Sequence, residues 1–195
     1  MSKSGRPREF NKPKVLDAAM NAFWLKGYEG CSTEDLCKST GLGRGSLYNT
    51  FGSKHELYEQ TLQHYHEYWI QVQIDILERP VPVKERLRDL LEWAVEEDFQ
   101  DTSKGCLLIS ATMERGRTDS TVENVANRHA ERLEGVLYRV IEEGIKSGEI
   151  TSNRSVLDLS RTFLCSFYGL RTLNATTRSR DMAEQIVEGA LANIN

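Results

Sequence analysis

The fold of this 195-residue chain follows from residues 41–57, which read GLGRGSLYNTFGSKHEL. The first glycines form a turn after a short amphipathic helix predicted over residues 33–39, and a second short helix is predicted over residues 44–50. Two short helices joined by a turn of three to four residues that contains glycine form a helix-turn-helix. The tetrad Ser53-Lys54-His55-Glu56 is a capping box, with a serine cap and a glutamate three residues later, and it predicts the start of a further helix.

The second helix of this motif has a polar outer face. Arginine can donate two hydrogen bonds to guanine, asparagine can pair with adenine, serine and tyrosine reach phosphates, and glycine lets a helix backbone approach DNA closely. In the DNA-binding versions of the motif, this helix enters the major groove. The candidate DNA-contacting residues are Arg44, Gly45, Ser46, Tyr48 and Asn49.

Lys54 stands in the first turn of the next helix, at the positive end of the helix dipole, where a cation is mildly unfavourable. A DNA phosphate at the same helix N-terminus would reverse that preference. Alone, this residue would be read as an exposed lysine without a role. Next to a helix-turn-helix, a phosphate contact is the favoured interpretation.

Charge is unevenly distributed along the chain. Residues 1–60 hold nine Lys and Arg against seven Asp and Glu, whereas residues 61–195 hold sixteen against twenty-two. A basic N-terminal part followed by an acidic remainder indicates that the N-terminal part binds a polyanion. An ordinary solvated basic terminus would give the same pattern, so charge alone leaves both interpretations open.

The chain is predicted to be all-α. All four prolines lie before residue 83, and no stretch alternates polar and β-branched residues as a half-buried strand would. We expect an N-terminal domain over residues 1–53, made of a basic arm and a three-helix helix-turn-helix, and a helical bundle over residues 54–195. Helices are predicted over about 13–26, 33–39, 44–50, 54 to the prolines at 80 and 82, 83–98, 105–114, 119–146, 153–175 and 179–192.

Residues 5–57 resemble the signature of the TetR/AcrR family of transcriptional regulators. Most of this resemblance lies in residues 41–57. As in that family, these residues are preceded by a Gly5-Arg6-Pro7-Arg8 lead, by an alanine-rich helix that ends Lys26-Gly27-Tyr28, and by Thr33. Beyond residue 57, only length and helix layout agree with the family.

The resemblance implies a dimeric regulator, usually a repressor, that binds a palindromic operator in double-stranded DNA. Its N-terminal domain would bind the DNA, and its helical domain would dimerise and bind a small-molecule effector. Carried over by position, Arg44, Gly45, Ser46, Tyr48 and Asn49 would contact the operator from the recognition helix. Thr33 and Lys54 would hold phosphates, and Arg6 and Arg8 would reach the flanking backbone or the minor groove.

Two positions depart from the family pattern. Gly43 stands where the family usually has a serine or threonine that caps the recognition helix, and this exchange costs only a few tenths of a kcal/mol. Thr50 stands where an aromatic residue or histidine is common, so no phosphate contact is predicted there.

The last two helices are predicted to form a homodimer interface. Two copies of a short recognition helix would read half-sites about 34–36 Å apart, which a single copy cannot do. Apolar side chains on one face of each helix would also suit the core of a monomer, and sequence does not separate the two. The candidate interface residues are Phe163, Phe167, Leu170, Ile186, Val187, Ala190 and Leu191.

An effector pocket is expected between helices of the second domain, and its apolar composition favours an apolar or aromatic effector. For any one candidate, a place in the core is the more common role. The candidate pocket residues are Trp69, Trp93, Phe99, Cys106, Met113, Tyr138, Phe163 and Phe167.

Cys106 offers an alternative way of releasing the regulator. It lies near Lys104 at the predicted start of a helix, where a thiol can become nucleophilic and react with an electrophile or oxidant. The other interpretation is a small buried apolar residue, which is what free cysteine usually is.

Other functional classes find little support. The sequence has no phosphate-binding glycine loop, nucleophile elbow, metal-ligand set or plausible triad, so we expect no enzyme, no metal and no cofactor. A helical protein-interaction adaptor with a degenerate helix-turn-helix is the remaining rival. Without a long apolar run, no membrane contact is expected, and the chain is predicted to be cytoplasmic.

Overall fold

The computed structural model describes residues 10–100 and 102–194, and within these ranges it is all-α, as predicted. The helices are α1 (Lys12–Gly30), α2 (Thr33–Thr40), α3 (Arg44–Phe51), α4 (Lys54–Leu77), α5 (Val83–Phe99), α6 (Leu107–Arg115), α7 (Ser120–Ser147), α8 (Val156–Thr177) and α9 (Arg180–Ala192). Contacts group the described residues into two compact units that divide between His64 and Tyr65, so α4 contributes to both. The domain boundary after residue 53 stays a prediction.

The first unit contains α1, α2, α3 and the first half of α4. Asn11 caps α1, because its side chain accepts a hydrogen bond from the Lys14 amide at 3.1 Å. The sequence predicts an end near Gly27, and Gly27 does leave helical geometry at φ 71°, but one more helical turn continues to Gly30. Apolar side chains from all four helices form the core, namely Val15, Ala19, Phe23, Leu36, Leu47, Phe51, Leu57, Tyr58 and Leu62.

The second unit contains the rest of α4 and the five helices that follow. Residues 78–82, with their two prolines, separate α4 from α5, and Gly148 ends α7 in the left-handed conformation. Serines cap α8 and α9, since Ser155 and Ser179 accept hydrogen bonds from amides in the first turn of each helix. None of the described helices has the length and apolar character needed to cross a lipid bilayer.

The core of the second unit takes up most of the side chains predicted for the dimer interface. Phe163, Phe167, Leu170, Val187 and Ala190 are buried within one chain, at exposures of 5% or less. Ile186 and Leu191 pack against this core and are partly buried. The residues predicted for the interface thus lie on the inward face of each helix, since core and interface residues have the same apolar pattern. The exposed large apolar residues of α8 and α9 are Leu157, Leu173 and Met182.

Candidate nucleic-acid interface

The helix-turn-helix of α2 and α3 is fixed by two buried leucines and a glycine turn. Leu36 on α2 and Leu47 on α3 are fully buried. Gly41 ends α2 in the left-handed conformation at φ 70°, and its amide donates to the Cys37 carbonyl. This turn redirects the chain so that α3, the predicted recognition helix, follows within three residues.

The N-terminus of α2 is held by a network of polar contacts. Ser32 and Asp35 form a reciprocal capping box, with the Ser32 amide donating to Asp35 Oδ2 at 3.0 Å and the Asp35 amide donating to Ser32 Oγ at 3.1 Å. Lys26 from α1 reaches Asp35 Oδ1 at 2.5 Å. The hydrogen bonds from Lys26 and Ser32 hold the pKa of the Asp35 carboxyl well below its usual range.

The predicted recognition helix, α3, presents the predicted polar residues on its outer side. Arg44, Gly45, Ser46 and Asn49 are exposed, and Tyr48 is half-buried. A Cβ built on Gly45 would meet nothing within 4 Å among the described residues. Packing within the described part of the chain therefore does not require glycine at this position.

Thr33 and Tyr48, two predicted DNA contacts, lie side by side. The Thr33 Oγ1 and Tyr48 hydroxyl oxygens are 2.7 Å apart and share a hydrogen bond that joins the start of α2 to α3. Either oxygen can donate to the other, and the hydroxyl that accepts keeps its own O–H to donate to an anion. The two hydroxyl groups form one small polar site rather than two separate ones.

Lys54 lies in the first turn of α4 with its ammonium over an aromatic ring. Its Nζ is 4.4 Å from the centroid of the Tyr28 ring, a cation–π contact. The capping box predicted at Ser53 is present: the Ser53 amide donates to Glu56 Oε2 at 2.6 Å, and the Glu56 amide donates to Ser53 Oγ at 3.1 Å. Hydrogen bonds from the Ser53 amide and then from the Ser53 side chain lower the pKa of the Glu56 carboxyl. Tyr28 thus orients a cation beside the amide groups at the start of α4.

Two residues of this region were missed at the level of sequence. Tyr28 precedes Lys54 by twenty-six positions, so only the packed structure brings them together. Gly52 has φ 89°, and a Cβ on it would fall 2.1 Å from Glu56 Oε2. The glycine between Phe51 and the capping box was the available signal for this tight turn. Arg6 and Arg8 lie outside the described residues.

In the second unit, three of the predicted pocket residues form part of a continuous aromatic cluster. The cluster comprises Tyr65, Trp69, Trp93, Phe167 and Tyr168, which contact one another in that order. The distances between successive ring centroids are 6.0, 5.7, 6.5 and 5.7 Å. The rings of Trp93 and Phe167 are nearly parallel, at 10°.

The remaining pocket candidates are dispersed. The Phe99 ring lies 5.0 Å from the Arg180 guanidinium carbon, and Tyr138 is 38% exposed on α7. Phe163 is buried in the core. Met113 is 84% exposed and lines a cavity of about 300 Å³ among α6, α7 and α8, which Tyr168 also lines. The aromatic character of a residue does not by itself predict which of these side chains contact one another.

Cys106 is buried at the N-cap of α6, close to the aromatic cluster. The Tyr65 hydroxyl donates to its Sγ at 3.5 Å. Burial, followed by the nearby Cys106, raises the pKa of Tyr65 well above its usual value. Arg171 and Asp98 form a buried ion pair in the same region, with Nη2 and Oδ1 2.7 Å apart. Among the described residues, no group of three or more His, Cys, Asp and Glu is placed to hold a metal ion.

Comparison with known proteins identifies the class to which this architecture belongs. Residues 15–61 match the family model described as "Bacterial regulatory proteins, tetR family". Residues 83–190, more than half of the chain, match the model described as "Tetracyclin repressor-like, C-terminal domain". The chain therefore belongs to the TetR family of DNA-binding transcriptional regulators, which confirms the resemblance seen in residues 5–57.

Several relatives extend over nearly the whole chain. YezE of Bacillus subtilis, named as an uncharacterized HTH-type transcriptional regulator, is 28% identical over 190 residues, covering 96% of this chain and 98% of YezE. ComR of Escherichia coli, named as an HTH-type transcriptional repressor, is 28% identical over 170 residues, covering 85% of this chain and 80% of ComR. A cysteine mutant of the TetR family regulator CifR, solved with a 26-base-pair operator, superimposes with a TM-score of 0.86 at 26% identity, covering 98% of this chain and 100% of CifR.

Proposed function

We propose that this chain is a transcriptional repressor that binds a palindromic operator as a homodimer and is released by a small-molecule effector. The observation that carries the proposal is the outer face of α3, where four polar or glycine positions are exposed while Leu47 anchors the helix from behind. The open space around Gly45 supports close approach to another molecule. The name of ComR as a repressor and the operator complex of CifR support the same function.

The proposed phosphate contacts flank this face. In the Thr33–Tyr48 pair, the hydroxyl that accepts the shared hydrogen bond would donate to one phosphate, and Lys54 at the start of α4 would bind another. Helix N-termini favour anions, so Lys54 and the amide groups beside it would act on the same phosphate. Residues 1–53, including Arg6 and Arg8, are proposed as the DNA-binding domain, and the protein would act in the cytoplasm, where the chromosome lies.

The proposed dimer interface moves to the outward sides of α8 and α9. Leu157, Leu173 and Met182 are the large apolar side chains of these two helices that stay 38–40% exposed. A second copy of the chain would bury them through a two-fold axis. Ile186 and Leu191, which are partly buried, stay in the proposed interface.

Modification of Cys106 is the second candidate for release. Its place at the N-cap of α6 and its hydrogen bond from Tyr65 favour it over the other described cysteines as a site where a reaction would disturb packing. A Cys106→Ser variant that an electrophile or oxidant still releases from the operator would rule out this route.

Fluorescence anisotropy tests the DNA-binding proposal. The probe is labelled DNA from immediately upstream of the gene for this protein, with unlabelled competitor DNA in excess. The test variant is Arg44→Ala with Tyr48→Ala. The control is Arg117→Ala with Tyr68→Ala, which makes the same changes at exposed positions of the second unit.

We expect competitor-resistant binding by the native protein and the control, and its loss in the test variant. If competitor DNA displaces all three proteins equally from the labelled DNA, binding is only nonspecific attraction to the basic N-terminal part. That result would contradict operator recognition at this sequence. Binding that persists in the test variant would show that α3 is not the reading element.

A further inference from the structure

Arg171 on α8 carries a buried N–H group without an acceptor among the described residues. Its Nη2 donates to Asp98 Oδ1 at 2.7 Å, and Asn174 Nδ2 donates to the other carboxylate oxygen at 3.2 Å. The Nε atom is inaccessible to solvent and makes no hydrogen bond within the described part of the chain. Buried donors are almost always paired, so this N–H calls for an acceptor from a water or from another molecule.

The unpaired donor borders flat apolar surfaces. The guanidinium carbon of Arg171 lies 5.3 Å from the centroid of the Trp93 ring. Trp93 in turn contacts Trp69 and Phe167 within the aromatic cluster. Aromatic rings bind other aromatic rings in stacked or edge-to-face arrangements, so this neighbourhood suits a planar unsaturated molecule.

A cavity lies at the edge of the same cluster. It has a volume of about 300 Å³, and both Tyr168 and Thr172 of α8 line it. Tyr168 packs on Phe167 at 5.7 Å between ring centroids and precedes Arg171 by three positions, which places both on neighbouring parts of one helix face. Tyr168 therefore belongs both to the aromatic cluster and to the lining of this cavity.

The charge balance of the site determines which acceptor fits. Asp98 already compensates the positive charge of Arg171, and both side chains are 5% exposed or less. A carboxylate ligand would add a buried charge without its own partner, which is costly. A carbonyl or ether oxygen accepts the hydrogen bond without that cost.

We propose that the aromatic cluster and Arg171 form a binding site for an uncharged aromatic molecule whose carbonyl or ether oxygen accepts a hydrogen bond from Arg171 Nε. This ligand class is assigned to the effector, and that assignment alone rests on the proposed function. The ligand needs no reactive group, so the site works independently of Cys106.

Three matched probes test the chemistry on the full-length native protein without DNA. They share a naphthalene ring and differ in one substituent: 2-acetylnaphthalene has a neutral carbonyl, 2-ethylnaphthalene has no acceptor, and 2-naphthoate is an anion. Dissociation constants are measured by ligand-observed NMR titration. We expect the ketone to bind at least about tenfold more tightly than the other two, the lower end of what a hydrogen bond from a charged donor contributes. Equal affinities, tighter binding of naphthoate or no binding of the ketone would overturn the proposal.

A direct signal comes from protein labelled with ¹⁵N at arginine Nε. The ketone should shift the Arg171 Nε–H resonance, assigned by its loss in Arg171→Lys, and should slow its exchange with water. The ethyl compound should leave that resonance in place. An unmoved Arg171 signal at saturating ketone would overturn the proposal even if the ketone binds elsewhere.

The test variant is Arg171→Met with Asp98→Asn, which removes both charges together and leaves no buried ion unpaired. Its control is Arg86→Met with Glu143→Gln, because Arg86 is also buried, is also paired with a carboxylate and also has an unpaired Nε, but contacts no aromatic ring within the described part of the chain. The preference for ketone over ethyl compound should vanish in the test variant and persist in the control. A preference that persists in both would overturn the role of Arg171.

The experiments distinguish failure of the effector role from failure of the binding site itself. Ketone binding without release of operator DNA in the anisotropy assay would leave the site in place and remove its regulatory role. Operator binding that is intact while no probe binds would contradict the site and leave the DNA-binding function standing.

Discussion

Acidification should destabilise the second unit through one buried histidine. His129 on α7 is 2% exposed, and its Nδ1 lies 3.1 Å from Nδ1 of His66 on α4, so one ring donates and the other accepts. Burial, followed by His66 and then Arg171, lowers the pKa of His129 to about 3. In an unfolded chain the same side chain has a pKa near 6.5. Between these values the unfolded chain binds one more proton than the folded chain.

The sign and size of the effect follow from that difference. The contribution of His129 to the free energy of unfolding is fully present above pH 6.5. It is lost as the pH falls towards 3, because the unfolded chain then binds a proton that the buried ring does not. Each unit of pH below 6.5 costs about 1.4 kcal/mol. At pH 5 the free energy of unfolding should therefore be about 2 kcal/mol lower than at pH 8 from His129 alone.

Urea unfolding at a series of pH values measures this loss. A Trp24→Phe background leaves Trp69 and Trp93 to report on the second unit, and protein concentration is held constant because assembly shifts apparent stability. The comparison is between that protein and the same protein with His129→Asn, whose amide does not titrate. The control replaces His64 in the first unit, which contacts Asp17 at 2.7 Å.

The difference in free energy of unfolding between the protein with His129 and the His129→Asn variant should change by about 2 kcal/mol between pH 8 and pH 5. The His64→Asn variant should keep the pH dependence that Trp69 and Trp93 report. A parallel loss of stability with and without His129 would refute the reasoning. Such a result would mean that the ring takes up its proton in the folded chain with a nearly ordinary pKa.

Four further substitutions have expected outcomes. Gly52→Ala should lower the stability of the first unit by more than about 1 kcal/mol in thermal unfolding, because alanine would be held at a positive φ and would clash with the Glu56 side chain. Gly45→Ala should stabilise α3 by about 0.5–1 kcal/mol and weaken operator binding. Lys54→Met should reduce the slope of log affinity against log salt by about 0.9 in anisotropy titrations, and an unchanged slope would exclude a phosphate contact. Asp98→Ala should cost about 3–5 kcal/mol in urea unfolding, because it leaves a buried guanidinium without its partner.

Local signals predicted the first unit well. The turn at Gly41 and the capping box at Ser53 are encoded within a few residues of one another, so helix bounds and the polar face of α3 follow from the sequence. The contact of Lys54 with Tyr28 was out of reach, because it depends on how α1 and α4 pack.

The second unit was harder to predict because its functional contacts are long-range. Asp98 and Arg171 are seventy-three positions apart, and neither has a local pattern that marks it as buried. The phenylalanines of α8 were assigned to the dimer interface because an inward apolar stripe and an interface stripe have the same period. Only the burial of Phe163 and Phe167 within one chain separates these alternatives.

The surface proposed to bind DNA is also where the chain departs from what local stability favours. Gly43 leaves α3 without a side-chain cap, Gly45 stands inside a helix, and Lys54 puts a cation at the positive end of another, which together cost about 1–2 kcal/mol. In the same unit, Ser32 caps α2 and Ser53 caps α4, each in a complete capping box, so the lack of a side-chain cap is particular to α3. Departures of this kind concentrate where binding sets the residue type. A duplex docked on α3 would supply what each position lacks: a backbone close enough to need Gly43 and Gly45, and a phosphate that turns the unfavourable position of Lys54 into a favourable one.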